Sequence, residues 1–453
     1  MKNKRGEPML FRSELAKFVG KGSLWFLKKF TKGGSSLPGK LALKIDPEIL
    51  THLSQNYTLV VITGTNGKTL TTALATAAMS DHCPNVISNP TGSNMQQGIV
   101  STFLTSPKIK TGQKGIALLE IDEGSLKNIT THVQPDYFVF TNVFRDQLDR
   151  FGETHTIYQL LKDAALAAPD ATLILNGDLP IFNDPSLSNP KVFYGFNHQK
   201  DQDVEAHYNT DGLLCPQCDH LLKYKSITYA NLGKYYCPHC GFKRPQLSYQ
   251  VNQINKLTLD STKFAINDTI FDLPVAGLYN IYNALAAYSL LKELGLSDQA
   301  IQNSFKKTKR VFGRQEKIKI ANKTVLLNLV KNPVGLNQVL DILSLDKKPF
   351  TLACLLNNDY ADGVDVSWIW DANWEKALNF PIEEIYTGGS RKDDMTQRLV
   401  VAGFRENIIQ SIESNDELIE KITNAPTDHV HILTTYTAML QLRQNLVEHG
   451  YLK

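Results

Sequence analysis

The sequence predicts an α/β protein in which a phosphate-binding central domain, interrupted by a zinc ribbon, is followed by a smaller α/β domain. Three observations support this prediction. Short apolar runs alternate with helical stretches from about residue 57, a glycine-rich loop with a lysine follows the first run, and two Cys-x-x-Cys pairs break the pattern. At 453 residues the chain is too long for one compact core, which agrees with several domains.

Residues 1–44 form a basic segment within a chain whose formal net charge is only +3. Leu, Phe and Trp recur among lysines at helical spacing over 13–30. This pattern predicts a cationic helix that packs on the body of the protein, or alternatively one that rests on an anionic membrane surface. The Gly/Ser/Pro-rich stretch 31–50 predicts a hinge into the first folded domain.

The overall composition excludes several classes of protein. A near-neutral charge argues against a nucleic-acid partner. The sequence has no run of eighteen apolar residues and no apolar signal segment, so we expect neither a membrane span nor secretion. Six cysteines, four of them in two close pairs, favour a metal site in a reducing cytoplasm over disulfides.

The central domain is predicted to span residues 45–312. Its β-branched runs are nearly continuous in apolar residues, which is typical of a parallel sheet covered by helices on both faces. The runs are YTLVVIT (57–63), GIALLEI (115–121), YFVFTNV (137–143) and ATLILN (171–176). After a polar stretch, residues 271–295 predict a turn and a long helix.

The loop TGTNGKT, between the first apolar run and an alanine-rich helix, predicts a phosphate site. Glycines let backbone N–H groups approach phosphate oxygens, Lys68 would bridge the β- and γ-phosphates, and the Thr69 hydroxyl would bind Mg²⁺. Ile62 stands where the general motif has its first glycine. The predicted nucleotide-binding residues of this loop are Gly64, Thr65, Asn66, Gly67, Lys68 and Thr69.

Four cysteines predict a structural zinc ribbon, which we place at residues 207–247 as an insertion in the central domain. Two C-P-x-C turns separated by eighteen residues can present four thiolates tetrahedrally and so close the site. The stretch between the pairs is only modestly basic, which argues against a DNA-binding ribbon. The predicted zinc ligands are Cys215, Cys218, Cys237 and Cys240.

A second α/β domain is predicted over residues 313–453. It contains the apolar runs TVLLNLV (324–330) and FTLACLL (350–356). A polar stretch rich in Asp and Trp follows over 355–375, which in isolation is typical of a loop after a buried strand.

Several motifs in order resemble the Mur ligase superfamily, whose ATP-dependent members form amide bonds on peptidoglycan precursors or folates. They are GTNGKT (64–69), TGSNMQQG (91–98), LLEIDEGS (118–125), TNVFRDQLDRFGE (141–153), GLYNIYNALAA (277–287) and FGRQEKI (312–318). The resemblance implies that Glu120 binds Mg²⁺ together with Thr69, and that Asn280 and Arg314 contact the nucleotide. Gln147 stands where these ligases usually have His.

Three further features resemble one branch of that superfamily, the MurT subunits of lipid II isoglutaminyl synthases. They are NLVKNPVG (328–335), the four-cysteine insertion and ADGVDVSWIWD (361–371). The resemblance implies that ATP phosphorylates the α-carboxylate of D-glutamate in the lipid II stem peptide, and that ammonia converts it to an amide. Lys68 and Mg²⁺, held by Thr69 and Glu120, would neutralise charge on the transferred phosphoryl group.

The source of ammonia is expected to be a second protein. Glutamine hydrolysis needs a cysteine on a sharp glycine-flanked turn, and neither Cys83 nor Cys354 has flanking glycines. The resemblance implies a heterodimer with a GatD-like glutamine amidotransferase, which binds the C-terminal domain and takes one aspartate from it to complete a Cys–His triad. The candidates are Asp359, Asp362, Asp365 and Asp371; we favour Asp362, because a turn at A-D-G could project it outward.

Two other functions stay open at this point. One is a self-sufficient Mur-type ligase that adds an amino acid to a nucleotide-linked or folate substrate. The other is a zinc-ribbon ATPase that binds nucleic acid, which the near-neutral charge disfavours. In the favoured hypothesis the nucleotide lies between the two α/β domains, and the protein works in the cytoplasm at the inner membrane face, where the basic segment could help.

Overall fold

The computed structural model describes residues 9–30, 36–89, 92–107, 109–110, 112–145, 154–206, 212–308 and 315–452. Two large sheets dominate these residues. One has nine strands and comprises residues from 57 to 273; the other has six and begins at Glu316. Separate buried clusters support the two sheets, so each has its own core.

The nine-stranded sheet has the order β11-β10-β9-β6-β5-β4-β1-β3-β2. Strands β1 to β6 and β9 pair in parallel, while β10 and β11 extend the sheet as antiparallel strands. The bounds are β1 Tyr57–Thr63, β2 Val86–Ser88, β3 Gly115–Glu120, β4 Tyr137–Phe140, β5 Thr172–Asn176, β6 Lys191–Phe196, β9 Tyr249–Leu257, β10 Thr262–Ile266 and β11 Thr269–Leu273, with β7 Lys223–Tyr229 and β8 Leu232–Tyr236 forming a separate hairpin.

The four apolar runs predicted as strands are strands β1, β3, β4 and β5, and their side chains are almost entirely buried. Burial on both faces explains why these runs lack the alternation of a half-exposed sheet. The antiparallel edge was not predicted. A turn and a helix were predicted over 271–295. The turn and the helix are present, but residues 271–273 are the end of strand β11.

Helices cover both faces of this sheet, and three of the helices precede β1 in the chain. In chain order they are α1 Met9–Phe30, α2 Leu37–Ile45, α3 Ile49–Ser54, α4 Lys68–Ser80, α5 Gln96–Thr105, α6 Leu126–Thr130, α7 Thr154–Ala167, α8 Leu278–Glu293 and α9 Asp298–Lys306. The helix α8 is buried along most of its length. None of the helices in the described ranges is long and apolar enough to cross a membrane.

The prediction of a hinge over 31–50 is wrong for residues 37–45, which form α2. Pro38 lies in the first turn, where its missing N–H costs no helical hydrogen bond, and the apolar residues that follow favour a helix. Gly39 packs so closely on α5 that an added Cβ would lie 1.8 Å from the Gln97 carbonyl oxygen. Residues 31–35 lie outside the described residues.

One face of the basic helix α1 packs on the body of the protein, as the first of the two interpretations predicts, and the second stays a prediction for the opposite face. Ala16 is fully buried, and an added Cβ on Gly20 would lie 2.6 Å from a methyl carbon of Leu104 in α5. The opposite face of α1 is exposed.

The six-stranded sheet has the order β12-β13-β17-β14-β15-β16, parallel except for the pair β12 and β13. The predicted runs at 324–330 and 350–356 are strands β13 and β14. The bounds are β12 Glu316–Ile320, β13 Lys323–Leu329, β14 Phe350–Leu355, β15 Ile382–Gly388, β16 Ile409–Ser411 and β17 His429–Thr434, with helices α10 Pro333–Leu343, α11 Lys392–Ala402, α12 Asn415–Asn424 and α13 Tyr436–Glu448.

Candidate active site at the phosphate loop

The phosphate loop lies at the topological switch point of the nine-stranded sheet, where the order of the strands reverses. Strand β1 is hydrogen-bonded to β3 on one side and to β4 on the other, so the chain builds the sheet outward from β1 in both directions. In open α/β sheets the crevice at such a point, beyond the carboxyl ends of the strands, is where ligands bind. Residues 64–67 leave β1 at this crevice and lead into α4.

Two glycines of the loop are required by its conformation. Gly67 has a φ of +89°, and a Cβ there would lie 2.0 Å from the carboxamide oxygen of Asn283. Gly64 has a φ of +127°, and a Cβ there would lie 2.4 Å from the Thr141 hydroxyl. Any larger residue would force the loop away from its neighbours.

Thr65 and Asn66 attach the loop to the segment that follows β4. Their backbone N–H groups donate to the carbonyl and carboxamide oxygens of Asn142, both at 2.9 Å. The Thr65 hydroxyl bonds the backbone of Phe144. Because these two N–H groups already have acceptors, phosphate binding by this loop would use the N–H groups of Gly67, Lys68 and Thr69 at the start of α4.

Lys68 is buried and contacts both a carbonyl and a carboxylate. Its ammonium donates to the Gly64 carbonyl at 2.6 Å and to both carboxylate oxygens of Glu123 at 3.1 Å. Burial by itself lowers the pKa of Lys68, but the charges of Glu123, Asp122 and Glu120 outweigh it, so the pKa is raised. Lys68 is therefore protonated and places a positive charge at the crevice. Glu123 was not among the predicted site residues, although it lies in the quoted stretch LLEIDEGS.

Thr69 and Glu120 come together as the sequence predicts for a Mg²⁺ site. The Thr69 hydroxyl donates to a Glu120 carboxylate oxygen at 3.0 Å. Neighbouring ligands of an octahedral Mg²⁺ with bonds of about 2.1 Å lie roughly 3.0 Å apart, so these two oxygens fit that ion. Asn89 fixes the backbone of Glu120 through hydrogen bonds to its N–H and C=O, both at 2.9 Å.

A narrow cleft lies between the phosphate loop and the six-stranded sheet. Asn66, Tyr279 and Asn328 line it from the two sides. Asn280 is buried beside it, donating to the Ala276 carbonyl at 2.7 Å and accepting from Asn283. The predicted nucleotide contact Arg314 and the substituted position Gln147 lie outside the described residues.

The two domains also contact each other at the loop. The carboxamides of Asn66 and Asn332 lie within hydrogen-bond distance in both directions, at 3.2 and 3.5 Å. Asn332 belongs to the K-N-P stretch and caps α10 by accepting from the Gly335 N–H at 2.7 Å. The stretch NLVKNPVG therefore lies directly against the phosphate loop.

The structure does not project Asp362 outward, as the turn at A-D-G was expected to do. Its carboxylate is buried and accepts from the N–H of Thr437 at 2.7 Å and from the Thr437 hydroxyl. These bonds occupy the first turn of α13, where a negative charge is stabilised. Asp359 is exposed, Asp365 accepts from Ser367, and Asp371 pairs with Arg145 at 2.6 Å. The role of each in a triad stays a prediction.

The four predicted zinc ligands form one cluster. The sulfur atoms of Cys215 and Cys240 are 3.6 Å apart, those of Cys218 and Cys237 are 3.5 Å apart, and all four lie within 4.8 Å of one another. Tetrahedral zinc with Zn–S bonds of about 2.3 Å would separate the sulfurs by roughly 3.8 Å, so the cluster fits Zn²⁺. The backbone N–H groups of Cys240 and His239 lower the pKa of Cys237 to about 6, which favours the thiolate.

The two cysteine turns are alike in backbone geometry. In each, the residue four positions after the first cysteine donates its N–H to that cysteine's carbonyl and has a positive φ. That residue is Asp219 in the first turn and Gly241 in the second. A glycine after a C-P-x-C motif favours the positive φ of this turn, so the sequence indicates the second turn more clearly than the first, where the residue is an aspartate.

A buried ion pair attaches the ribbon to the central sheet. Arg244 of the ribbon donates to Asp178 at 2.8 Å, and Asp178 also accepts from the Tyr282 hydroxyl at 2.7 Å. Asp178 is fully buried. As a result the tip of the hairpin β7–β8 reaches the cleft, where Tyr229 is one of the lining residues. The sequence analysis did not assign any ribbon residue to the site.

Two family models match the chain. The Mur ligase middle domain matches residues 62–291, and the MurT ligase C-terminal domain matches residues 329–439. The first covers the phosphate loop and the ribbon, and the second covers most of the six-stranded sheet.

Solved structures share the fold at low sequence identity. A pseudomurein peptide ligase type C from Methanothermus fervidus superposes with a TM-score of 0.66 at 20% identity, covering 89% of this chain and 81% of that one. MurF ligase from Thermotoga maritima in complex with ADP gives a TM-score of 0.60 at 14% identity, covering 90% and 85%.

Curated relatives are much more similar in sequence. The subunit MurT of lipid II isoglutaminyl synthase (glutamine-hydrolyzing) from Streptococcus pneumoniae is 46% identical over 97% of this chain and 98% of its own length. The subunit of the same name from Staphylococcus aureus is 37% identical over 87% and 88%. The chain therefore belongs to the Mur ligase family and, within it, to the MurT subunits of lipid II isoglutaminyl synthase.

Proposed function

We propose that this chain is the ATP-dependent subunit that amidates the D-glutamate α-carboxylate of the lipid II stem peptide. A carboxylate oxygen attacks the γ-phosphorus of ATP, ADP leaves, and ammonia then displaces phosphate from the acyl phosphate and loses a proton. The observation that carries the proposal is the meeting of Lys68, Thr69 and Glu120 at the crevice of the sheet, in a chain similar to MurT subunits along almost its whole length.

The chain's own residues are suited to phosphoryl transfer. Lys68 is positively charged where a γ-phosphate would lie, and Asn89 holds the backbone of Glu120 in place. When bound between Thr69 and Glu120, Mg²⁺ supplies positive charge that stabilises the transferring phosphoryl group. Asn66 and Asn332 bring the second domain against the same loop, so that a nucleotide in the cleft would contact both domains.

Ammonia is proposed to come from a GatD-like glutamine amidotransferase bound to the C-terminal domain. Of the two cysteines outside the zinc cluster, Cys354 is buried in β14, and burial raises the pKa of its thiol well above the usual range. An inert thiol of this kind cannot hydrolyse glutamine. The loop that carries Asp359 and Asp365 exposes Tyr360 by 80% and Val364 by 56%, which is suitable for a partner surface.

Mass spectrometry of lipid II tests this function directly. The chain is incubated with lipid II and Mg-ATP, either with ammonium chloride or with glutamine plus the glutaminase subunit. We expect a mass loss of about one unit on the D-glutamate in both arms, and none with glutamine when the partner is omitted. ATP hydrolysis that requires an added amino acid, with lipid II unchanged, would instead indicate a self-sufficient ligase.

We further propose that α1 rests on the anionic inner face of the membrane, where a lipid-linked substrate is found. Phe18 and Trp25 are 77% and 63% exposed and lie on the face opposite the buried Ala16. Lys17 and Lys21 lie along one flank of that face. Aromatic side chains beside lysines on an amphipathic helix are suited to a lipid surface.

Sedimentation with vesicles tests the membrane contact. The wild-type chain should bind phosphatidylglycerol vesicles, and bind phosphatidylcholine vesicles much less. The double variant Phe18→Ser/Trp25→Ser should lose at least about tenfold in affinity, because two apolar side chains no longer leave water. The matched variant Val401→Ser/Val447→Ser, on helices α11 and α13, should bind as wild type. Equal loss in both variants would contradict this role for α1.

A further inference from the structure

A second, larger cavity of about 630 Å³ lies next to the cleft. Its walls are the tip of the hairpin β7–β8, the helix α10 and the segment 370–376 of the C-terminal domain. Phe144, Tyr229, Val334 and Gln338 line both spaces, so the cavity opens onto the cleft that contains the phosphate loop. A substrate bound at the phosphate loop can therefore extend into this space.

The charged side chains of the cavity largely neutralise one another. Lys376 pairs with Asp341, Arg398 pairs with Glu375 at 2.9 Å, and Arg145 pairs with Asp371 at 2.6 Å. The described lining thus holds no excess of positive charge, since its three cations face at least as many carboxylates. A diphosphate group is poorly matched to such a lining.

The remaining lining combines aromatic rings with carboxamides. Tyr229 of the ribbon and Trp370 of the C-terminal domain are among the lining residues, and the Arg398 guanidinium lies over the Trp370 ring, 5.6 Å from its centroid. Asn231 is 6% exposed, and its carboxamide oxygen accepts no hydrogen bond from any residue that the structure describes. Asn337 and Gln338 add further amide groups from α10. Ring faces and amides together suit a neutral ligand with many hydroxyl and amide groups.

We propose that this cavity binds the sugar portion of the lipid-linked substrate, with the zinc-ribbon hairpin as one wall. The assignment rests on the proposed function, which supplies a substrate carrying neutral amide-bearing sugars next to the reacting peptide. Tyr229 and Asn231 then act in substrate binding, and the ribbon, held by Arg244 and Asp178, positions them.

Two soluble substrates and three variants test the assignment. The full chain with its glutaminase partner, Mg-ATP and ammonium chloride is given either a disaccharide-linked stem peptide or the same peptide without sugars. For wild type we expect a KM at least about tenfold lower for the disaccharide-linked peptide. Asn231→Ala and Trp370→Ala, at two residues that line the cavity but not the cleft, should each remove most of that advantage without changing the KM of the bare peptide. Tyr236→Ala, a ribbon tyrosine outside the cavity, should behave as wild type.

The outcomes separate this inference from the proposed function. Equal wild-type KM values for the two substrates would overturn the sugar assignment while leaving amidation established, and this result needs no variant to fold. An equal rise in KM for both substrates in the two variants would also overturn it, since the effect would then be structural. Amidation of neither soluble substrate nor lipid II by wild type would contradict the proposed function itself.

Discussion

At the scale of single residues, the site depends on how Lys68 is neutralised. The ammonium is buried, and burial alone would lower its pKa, yet the neighbouring carboxylates keep it charged. Glu123 is the carboxylate in direct contact, at 3.1 Å. A nucleotide phosphate would bring negative charge to the same ammonium, so Glu123 acts as its counter-charge within the protein itself.

We expect Glu123→Gln to lower the free energy of unfolding by about 3 kcal/mol, because it removes the nearest counter-charge of a buried lysine. Mg-ATP should then raise the Tm of the variant by more than it raises that of wild type, since the phosphates replace the missing charge. Differential scanning fluorimetry measures both effects. Asp184→Asn, which breaks the ion pair with Lys162 away from the loop, should show the wild-type shift with Mg-ATP. Identical ligand shifts in all three proteins would contradict this role for Glu123.

One substitution separates the observed contact of Asp362 with α13 from its predicted role in the partner's triad. As a cap of α13, Asp362→Asn should cost about 1 kcal/mol of stability, because the carboxylate no longer complements the helix terminus. If Asp362 also completes the partner's triad, glutamine-dependent amidation should fall by at least about a hundredfold, with ammonium-dependent amidation retained. Thr437→Val, which removes the hydroxyl partner of the same cap, is the control for stability. A similar fall in both nitrogen sources would leave Asp362 with a structural role only.

At the scale of elements, most of what was predictable came from local pattern. Fully apolar runs predicted the buried strands, and the spacing of the four cysteines predicted that Cys215, Cys218, Cys237 and Cys240 come together. The ribbon's contribution to the cleft could not be predicted, because it depends on an ion pair between Asp178 and Arg244, which are far apart in the sequence. Glu123 could have been predicted as a site residue from the sequence, since it follows Glu120 by three residues at the end of β3. The antiparallel edge β9–β11 was missed, although Asn267 and Asp268 form a two-residue turn between β10 and β11, with Asn267 at a φ of +49°.

The ribbon should require zinc to keep its shape, because its own buried cluster comprises only a few residues. We expect about one zinc per chain by elemental analysis. Removal by a strong chelator should make residues 212–245 sensitive to protease while the central sheet persists in circular dichroism. Cys237→Ser should abolish zinc binding, whereas Cys83→Ser, outside the cluster, should retain it. Full protease resistance after complete loss of zinc would contradict a structural role.

At the scale of the whole molecule, polar contacts join the two domains, some beside the cleft and some away from it. Arg145 and Asp371 form one such contact, at 2.6 Å, with both side chains about a third exposed. Lys317 and Asp260 form another, more exposed and away from the cleft, at 3.7 Å. Pairs of this kind contribute little stability, and their main effect is on the relative placement of the domains.

We expect Arg145→Met to change the free energy of unfolding by less than about 1 kcal/mol. The kcat/KM of this variant for lipid II, with ammonium as the nitrogen source, should nevertheless fall several-fold. The reason is that the pair no longer fixes the relative position of the two domains that form the cavity. Small-angle scattering with Mg-ADP should show a broader distribution of sizes than for wild type. Lys317→Met should leave both quantities unchanged. Unaltered turnover in Arg145→Met would show that this pair does not govern domain placement.

The paired carboxamides of Asn66 and Asn332 have a consequence for the reaction cycle. Each amide can exchange its partner for water at little net cost, since one hydrogen bond replaces another of similar strength. A contact between neutral amides is also insensitive to salt, unlike an ion pair. This one contact between the domains can therefore open and re-form at little cost in free energy when a nucleotide enters or leaves the cleft.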